Sequence, residues 1–221
     1  MPENDEDPPL LDPAAVLWSA PLRDLHTRPL LVLLHGFGSH EGDLFGLSPL
    51  LPLQPIVASV RAPLRHGSGH AWFPVPDERH GDTAPALADA AADAVLTWLD
   101  VLPVPRSVGL LGFSQGGAVA LQLLRRAPRR FAYAVALSGF VVSPGDDVQA
   151  DAELERVRPP VFWGRGTADR VIPDDAVDRT QEWLPRHSTL TERIYEDVAH
   201  GVSQPELRDI GAFIRANTPP S

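Results

Sequence analysis

Leu30 to Leu34 are five aliphatic residues in a row, with no polar residue between them. A strand with one wet face alternates apolar and polar residues, so an unbroken run needs cover on both faces. Similar runs recur in "PIVASV" (55–60), "SVGLLGF" (107–113), "AYAVALSG" (132–139) and "PVFWG" (160–164). "TLTERIYE" (189–196) alternates as an edge strand does, and "AVLWSAP" (15–21) is a weaker candidate. Helix-period segments lie between the runs. Ala84 to Asp100 spaces Leu87, Ala91, Val95 and Trp98 by three or four residues. Ser114 to Arg126 is followed by Pro128, Asp174 to Leu184 is preceded by Pro173, and Gln204 to Ala216 aligns Leu207, Ile210, Phe213 and Ile214. Residues 143–157 hold a short helix or a loop. Strands alternating with helices predict an α/β fold, a mostly parallel sheet with helices on both faces. In such sheets function collects at the C-terminal strand ends.

The 221 residues suffice for one such domain, expected over residues 14–218. Residues 1–13 read as a disordered acidic tail, with four acids among the first seven residues and no basic start like that of a signal peptide. The aliphatic run at Leu30–Leu34 is far too short to cross a bilayer. The expected location is the cytoplasm. A net charge of −10 argues against nucleic acid and against an anionic membrane surface as partners. All 19 basic residues are arginine, and cysteine is absent too. Those absences exclude a lysine Schiff base, a Walker-A loop, a Ser–Lys dyad, a cysteine nucleophile and cysteine zinc sites.

At the seam between "SVGLLGF" and the following helix stands Gly112-Phe113-Ser114-Gln115-Gly116. Gly-x-Ser-x-Gly between a strand and a helix is the nucleophile elbow, a turn so tight that glycine is needed on either side. The serine is displayed at the strand end, where a helix N-terminus favours developing negative charge. Neutral serine is a weak nucleophile and needs a base. Of eight histidines, His200 lies where a base belongs, between the last strand and the last helix. Asp169 follows "VFWG" in a glycine-containing turn and is the expected acid. Asp174 and Asp175 are rivals that helix capping explains, and Asp197 is a rival that a turn explains. His66 and His70 in "RHGSGH" carry no fixed ligand geometry, so no metal and no cofactor is expected.

Acyl transfer also needs donors for an oxyanion. The backbone N–H of Gln115 is one, and that of Phe37, in "LLHGFGSHEGDL" (33–44), is the other. His35 is expected to order that loop. The segment from Arg61 to Pro85 is long and irregular by sequence, which marks function or disorder. Trp72 and Phe73 within it, with Phe37, Leu44, Phe140 and Trp163, are the candidate walls of an apolar acyl pocket, although core packing accounts well for Leu44 and Trp163. The segment is expected to cover that pocket.

With these pieces assembled, the chain resembles the phospholipase/carboxylesterase family of α/β-hydrolases, which includes acyl-protein thioesterases and small bacterial carboxylesterases. The resemblance rests on "LLHGFGSHEGDL", "AWFP" (71–74), "GFSQGGAVAL" (112–121), "ALSGF" (136–140), "GTADRVIP" (166–173) and "AHGVS" (199–203). It implies the α/β-hydrolase fold and a Ser114–His200–Asp169 triad, with the Phe37 and Gln115 N–H groups as the oxyanion site. Arg165 stands where many members carry histidine, and Arg170 where many carry proline. The expected substrate is a small-molecule or lipid-like acyl ester. Without a large lid insertion, a cleft for short- to medium-chain esters or thioesters is favoured. Protein depalmitoylation, lysophospholipid hydrolysis and non-catalytic binding are the alternatives. A homodimer stays open.

Overall fold

A computed structural model describes residues 10–75, 85–143 and 148–219. The expectations for the first nine residues, for the far end of the Arg61–Pro85 segment and for residues 144–147 lie outside these. Seven strands form one sheet, in the order β1 (Leu17–Trp18), β3 (Ile56–Val60), β2 (Leu30–Leu34), β6 (Val108–Phe113), β7 (Tyr133–Leu137), β8 (Pro160–Gly166) and β9 (Thr189–Tyr195). β1 runs antiparallel to β3; every other pairing in this sheet is parallel. The α/β class expected from the alternation is the one observed.

Both faces of the sheet are covered, which accounts for the unbroken apolar runs. On one face, Leu30, Val32 and Leu34 join Ala58, Leu110 and Trp163 beneath α2 (Pro85–Asp100), α3 (Gln115–Arg126), α4 (Val148–Val157) and α5 (Asp174–His187). On the other, Leu31 and Leu33 join Leu111, Val135 and Phe162 beneath α1 (Glu41–Phe45) and α6 (Gln204–Asn217). Period-two geometry sends neighbouring residues to opposite faces, so each residue of β2 feeds one of two cores. β9 is an edge strand, and its residues stay exposed or partly exposed without the alternation expected of it.

The register brings the strand ends together. Leu34 pairs with both Val60 and Gly112, Gly112 with Ala136, and Leu137 with Gly164. The segments leaving β2, β6, β7 and β8 therefore emerge side by side at one edge of the sheet.

Several elements differ from the sequence reading. The segment after Arg61 is not irregular throughout: β4 (Leu64–His66) and β5 (Gly69–Ala71) form an antiparallel hairpin, turning at Gly67 with φ 56°. Three-residue strands are too short to show a period. The five-residue α1 escapes for the same reason. α5 runs past the expected end at Leu184, through Pro185 to His187. Arg158 donates to the carbonyls of Pro185, Arg186 and Ser188 at 2.8–2.9 Å, supplying partners for that last turn. At the start, Leu11 is buried and Asp12 caps a 3-10 turn at Pro13–Ala15, so the chain is packed before residue 14.

Candidate active site

Ser114 occupies the junction of β6 and α3 with φ 53° and ψ −116°, a conformation few non-glycine residues adopt. Its N–H donates to Leu137 O at 2.8 Å, tying the turn to β7. The flanking glycines relieve different contacts. A Cβ on Gly112 would stand 2.1 Å from Gly116 O, across the turn. A Cβ on Gly116 would stand 1.9 Å from Leu34 O, so that glycine lets α3 lie against β2. Ser114 is 3% exposed, at the floor of the strand-end edge.

Asp169 and His200 come from the two adjacent loops. Asp169 Oδ2 lies 2.8 Å from His200 Nδ1, and Asp169 Oδ1 accepts from Val171 N–H at 2.9 Å. The Ser138 side chain lies beside the same carboxylate and favours its ionised form. Burial alone would push this carboxyl up, but the bonds from His200 and Val171, with Ser138 beside them, outweigh it and hold it at about 2. An ionised carboxylate accepts only, so the proton between them belongs to Nδ1 and leaves Nε2 as the basic nitrogen. The His200 ring packs on Phe113, centroids 4.8 Å apart, beside the residue that precedes the serine. The two loops are joined: Ala168 N–H donates to Val198 O at 3.0 Å, and Asp197 N–H to Thr167 Oγ1 at 3.0 Å.

It is Asp169, and none of its rivals, that bonds to His200. Asp197 sits in that turn with φ 58°. Asp174 and Asp175 stand in the first turn of α5 behind Pro173, which takes the cap position, and Asp175 pairs with Arg179 at 3.6 Å.

The loop after β2 passes close to Ser114; a Cβ on Gly36 would stand 3.6 Å from Ser114 Cβ. Phe37 follows it. His35 orders the loop as expected. Its Nε2 accepts from Ala62 N–H at 3.1 Å and its Nδ1 donates to Gly36 O at 2.8 Å. Burial lowers its pKa, which favours that neutral tautomer.

Of the six candidate pocket walls, five are buried and Phe37 is partly exposed. Trp72, Phe73 and Phe140 are at most 1% exposed and Leu44 is 4% exposed, on the opposite core. Of the six, Trp163 lines the cavity of about 90 Å³ beside Asp169, which is bounded by Ser138, Gly139, Trp163, Arg165, Asp169 and Ile172, and the other five do not. Trp72 is instead fixed by its indole N–H, which donates to His35 O at 2.8 Å. Apolar residues in a polar, proline-containing segment fit burial as well as a pocket wall, and here each has a buried partner. Arg165 lies over the Trp163 ring at 5.3 Å and 3.9 Å from Glu192.

Two contributors went unread in the sequence. Ser138 was legible only as part of "ALSG", whose end meets the acid loop. The Gln115 side chain accepts from Trp72 N–H at 2.9 Å and donates to Phe73 O at 2.8 Å. Among the described residues, no cluster of three or more His, Asp or Glu residues could hold a metal, and no helix is long and apolar enough to cross a membrane.

Residues 23–218 match the family model described as Phospholipase/Carboxylesterase. The carboxylesterase SOBER1 of Arabidopsis thaliana is 25% identical over 211 residues, covering 85% of this chain and 90% of that protein. The acyl-protein thioesterase 1 of Kluyveromyces lactis is 30% identical over 207 residues, covering 85% and 91%. Among solved structures, esterase PE8 superposes with a TM-score of 0.74 at 25% identity, over 92% of this chain and 98% of that one. The Bacillus cereus carboxylesterase superposes with a TM-score of 0.76 at 20% identity, over 91% and 93%.

Proposed function

Because the chain belongs to the phospholipase/carboxylesterase family, we propose that it is a serine carboxylesterase working through Ser114, His200 and Asp169. Ester or thioester hydrolysis goes with that membership. The observation that carries the residue roles is the 2.8 Å bond between Asp169 and His200, built from two loops onto the strand end that holds a strained Ser114.

In this mechanism Ser114 Oγ attacks the carbonyl carbon while His200 Nε2 takes its proton. Asp169 keeps the Nδ1 proton in place and stabilises the imidazolium that forms. The N–H groups of Phe37 and Gln115 bond the oxyanion. Collapse of the tetrahedral intermediate passes the proton to the departing alcohol or thiol and leaves an acyl-enzyme. Water, deprotonated by His200, then releases the acid and restores the serine. The acyl groups are read as short to medium in length because the sequence holds no insertion long enough for a large lid domain. Acyl-protein thioester hydrolysis is the activity in the name of the Kluyveromyces lactis relative, and acting on long acyl chains such as palmitoyl would require a longer apolar channel.

The test is a chromogenic ester series from short to long acyl chains on wild type and Ser114→Ala. Wild-type hydrolysis with the variant inactive is expected, together with labelling of Ser114 alone by a fluorophosphonate. An inactive wild type, or an active variant, would overturn the mechanism. Maximal turnover on the longest esters would overturn the chain-length reading.

A further inference from the structure

Two oxyanion donors must converge on one oxygen, each about 2.7–3.1 Å away. Here they come from separate segments, Phe37 from the loop after β2 and Gln115 from the start of α3. Both segments are rich in glycine and so have little stiffness of their own. Something has to fix the gap between them.

We propose that the β4–β5 hairpin and the Gln115 side chain form a clamp that sets this gap. The inference rests on reading the Phe37 and Gln115 amides as the oxyanion site. On one side the hairpin holds the Phe37 loop. Gly38 N–H donates to His70 O at 2.9 Å, and His70 N–H donates to Ser39 O at 2.8 Å. The His66 ring packs on the Phe37 ring, centroids 4.2 Å apart. Gly69 is pressed so close that a Cβ on it would stand 2.0 Å from Gly38 O. On the other side, the residues directly after the hairpin hold the elbow. The Gln115 amide accepts from Trp72 N–H and donates to Phe73 O, and the Trp72 indole returns to His35 O.

Gln115 and Trp72 are both at most 1% exposed, so no water competes for these bonds and they are stiff. Neither hairpin nor amide reaches the reacting atoms. Gln115 thus has two duties, its backbone in the oxyanion site and its side chain as a positioning group 43 residues removed from its partner.

The test compares wild type with Gln115→Met, which keeps the volume but removes both amide bonds, and with Gly69→Ala, which wedges the hairpin from the Phe37 loop without touching the elbow. Esters of one chain length supply kcat and KM. A trifluoromethyl ketone, whose hemiketal oxyanion occupies the same site, supplies an inhibition constant. Both variants are expected to lose about 10- to 100-fold in kcat, with KM within threefold. Ketone affinity should fall by the same factor as kcat/KM. A kcat within twofold of wild type in either folded variant overturns the clamp, as does a rise in KM that accounts for the whole loss. If Gln115→Met does not fold, Gly69→Ala alone decides. A wild type that hydrolyses no ester overturns the underlying mechanism instead, a result separate from an active wild type with unaffected variants.

Discussion

The nucleophile's half of the site and the acid–base half are held in place by different physics. Ser114 is positioned by backbone against backbone: a strained φ, a bond to Leu137 O, and glycines that leave no room for a Cβ. Asp169 and His200 are positioned by side-chain hydrogen bonds between two loops. The first arrangement is steric and insensitive to protonation. The second consists of ionisable groups whose bonding depends on where each proton sits. Damage to the elbow should therefore appear chiefly in stability, and damage to the pair chiefly in chemistry on an intact fold.

The largest expected effect is Asp169→Asn. The amide keeps the shape of the side chain but can present a donor to Nδ1, which then has to give up its proton. The proton moves to Nε2, and the base facing Ser114 is lost. A kcat lower by roughly 10⁴-fold, about 5.5 kcal/mol in the barrier, is expected on a protein that still folds, with a melting temperature lowered by a few degrees because the bonds that hold the carboxylate ionised are weakened. Steady-state kinetics with a thermal melt would check both. Because Asp169 is held at about 2, lowering the pH to 5 in wild type should not reproduce this loss through the acid itself.

The same contrast explains what could be read from the sequence. The elbow was legible because its constraint is local: five consecutive residues, Gly112 to Gly116, carry it. The pairing of Asp169 with His200 follows from chain order, since β6, β7, β8 and β9 lie in succession across the sheet and the loops after β8 and β9 are neighbours. The clamp was not legible. Gln115 shows an ordinary amide in the sequence, and its partners Trp72 and Phe73 lie more than 40 positions away with no periodic signal between. Trp72 and Phe73 were read as pocket walls because an apolar residue in a loop has no core assigned to it by sequence alone. The indole bond to His35 O and the packing beneath α3 supply that core.

Gly116→Ala strikes the other half. Its Cβ would meet the Leu34 carbonyl at 1.9 Å, a backbone atom that cannot swing aside. α3 must move away from β2, or β2 must shift within the sheet. An overpacking cost of about 3 kcal/mol is expected, which for a chain of this size lowers the melting temperature by roughly 6–12 °C. Calorimetry checks it. A variant that melts with wild type while losing activity would show that the elbow, too, acts chiefly on chemistry, and the contrast between the halves would collapse.

The smallest effect sharpens the contrast from within the acid–base half. Glu206 closes the capping box of α6 with Ser203, three residues beyond His200, so it anchors the loop that carries the base. Its side chain is buried against β8, where a Cβ on Gly164 would stand 2.2 Å from Oε1. Burial, aided by the nearby Asp209 charge, raises its carboxyl to about 7 despite the bond from Ser203 N–H. The unfolded chain loses this proton near the ordinary 4.5, so between 4.5 and 7 the folded state binds more protons than the unfolded one. Stability therefore falls as the pH rises across that window and levels off above it. Glu206→Gln keeps an oxygen for Ser203 N–H but cannot ionise. Its stability should match wild type near pH 4 and exceed it by about 1–3 kcal/mol at pH 8. Urea unfolding at the two pH values measures the difference directly. An equal offset at both would mean that Glu206 acts through packing alone, and that the loop bearing His200 is held as sterically as the elbow.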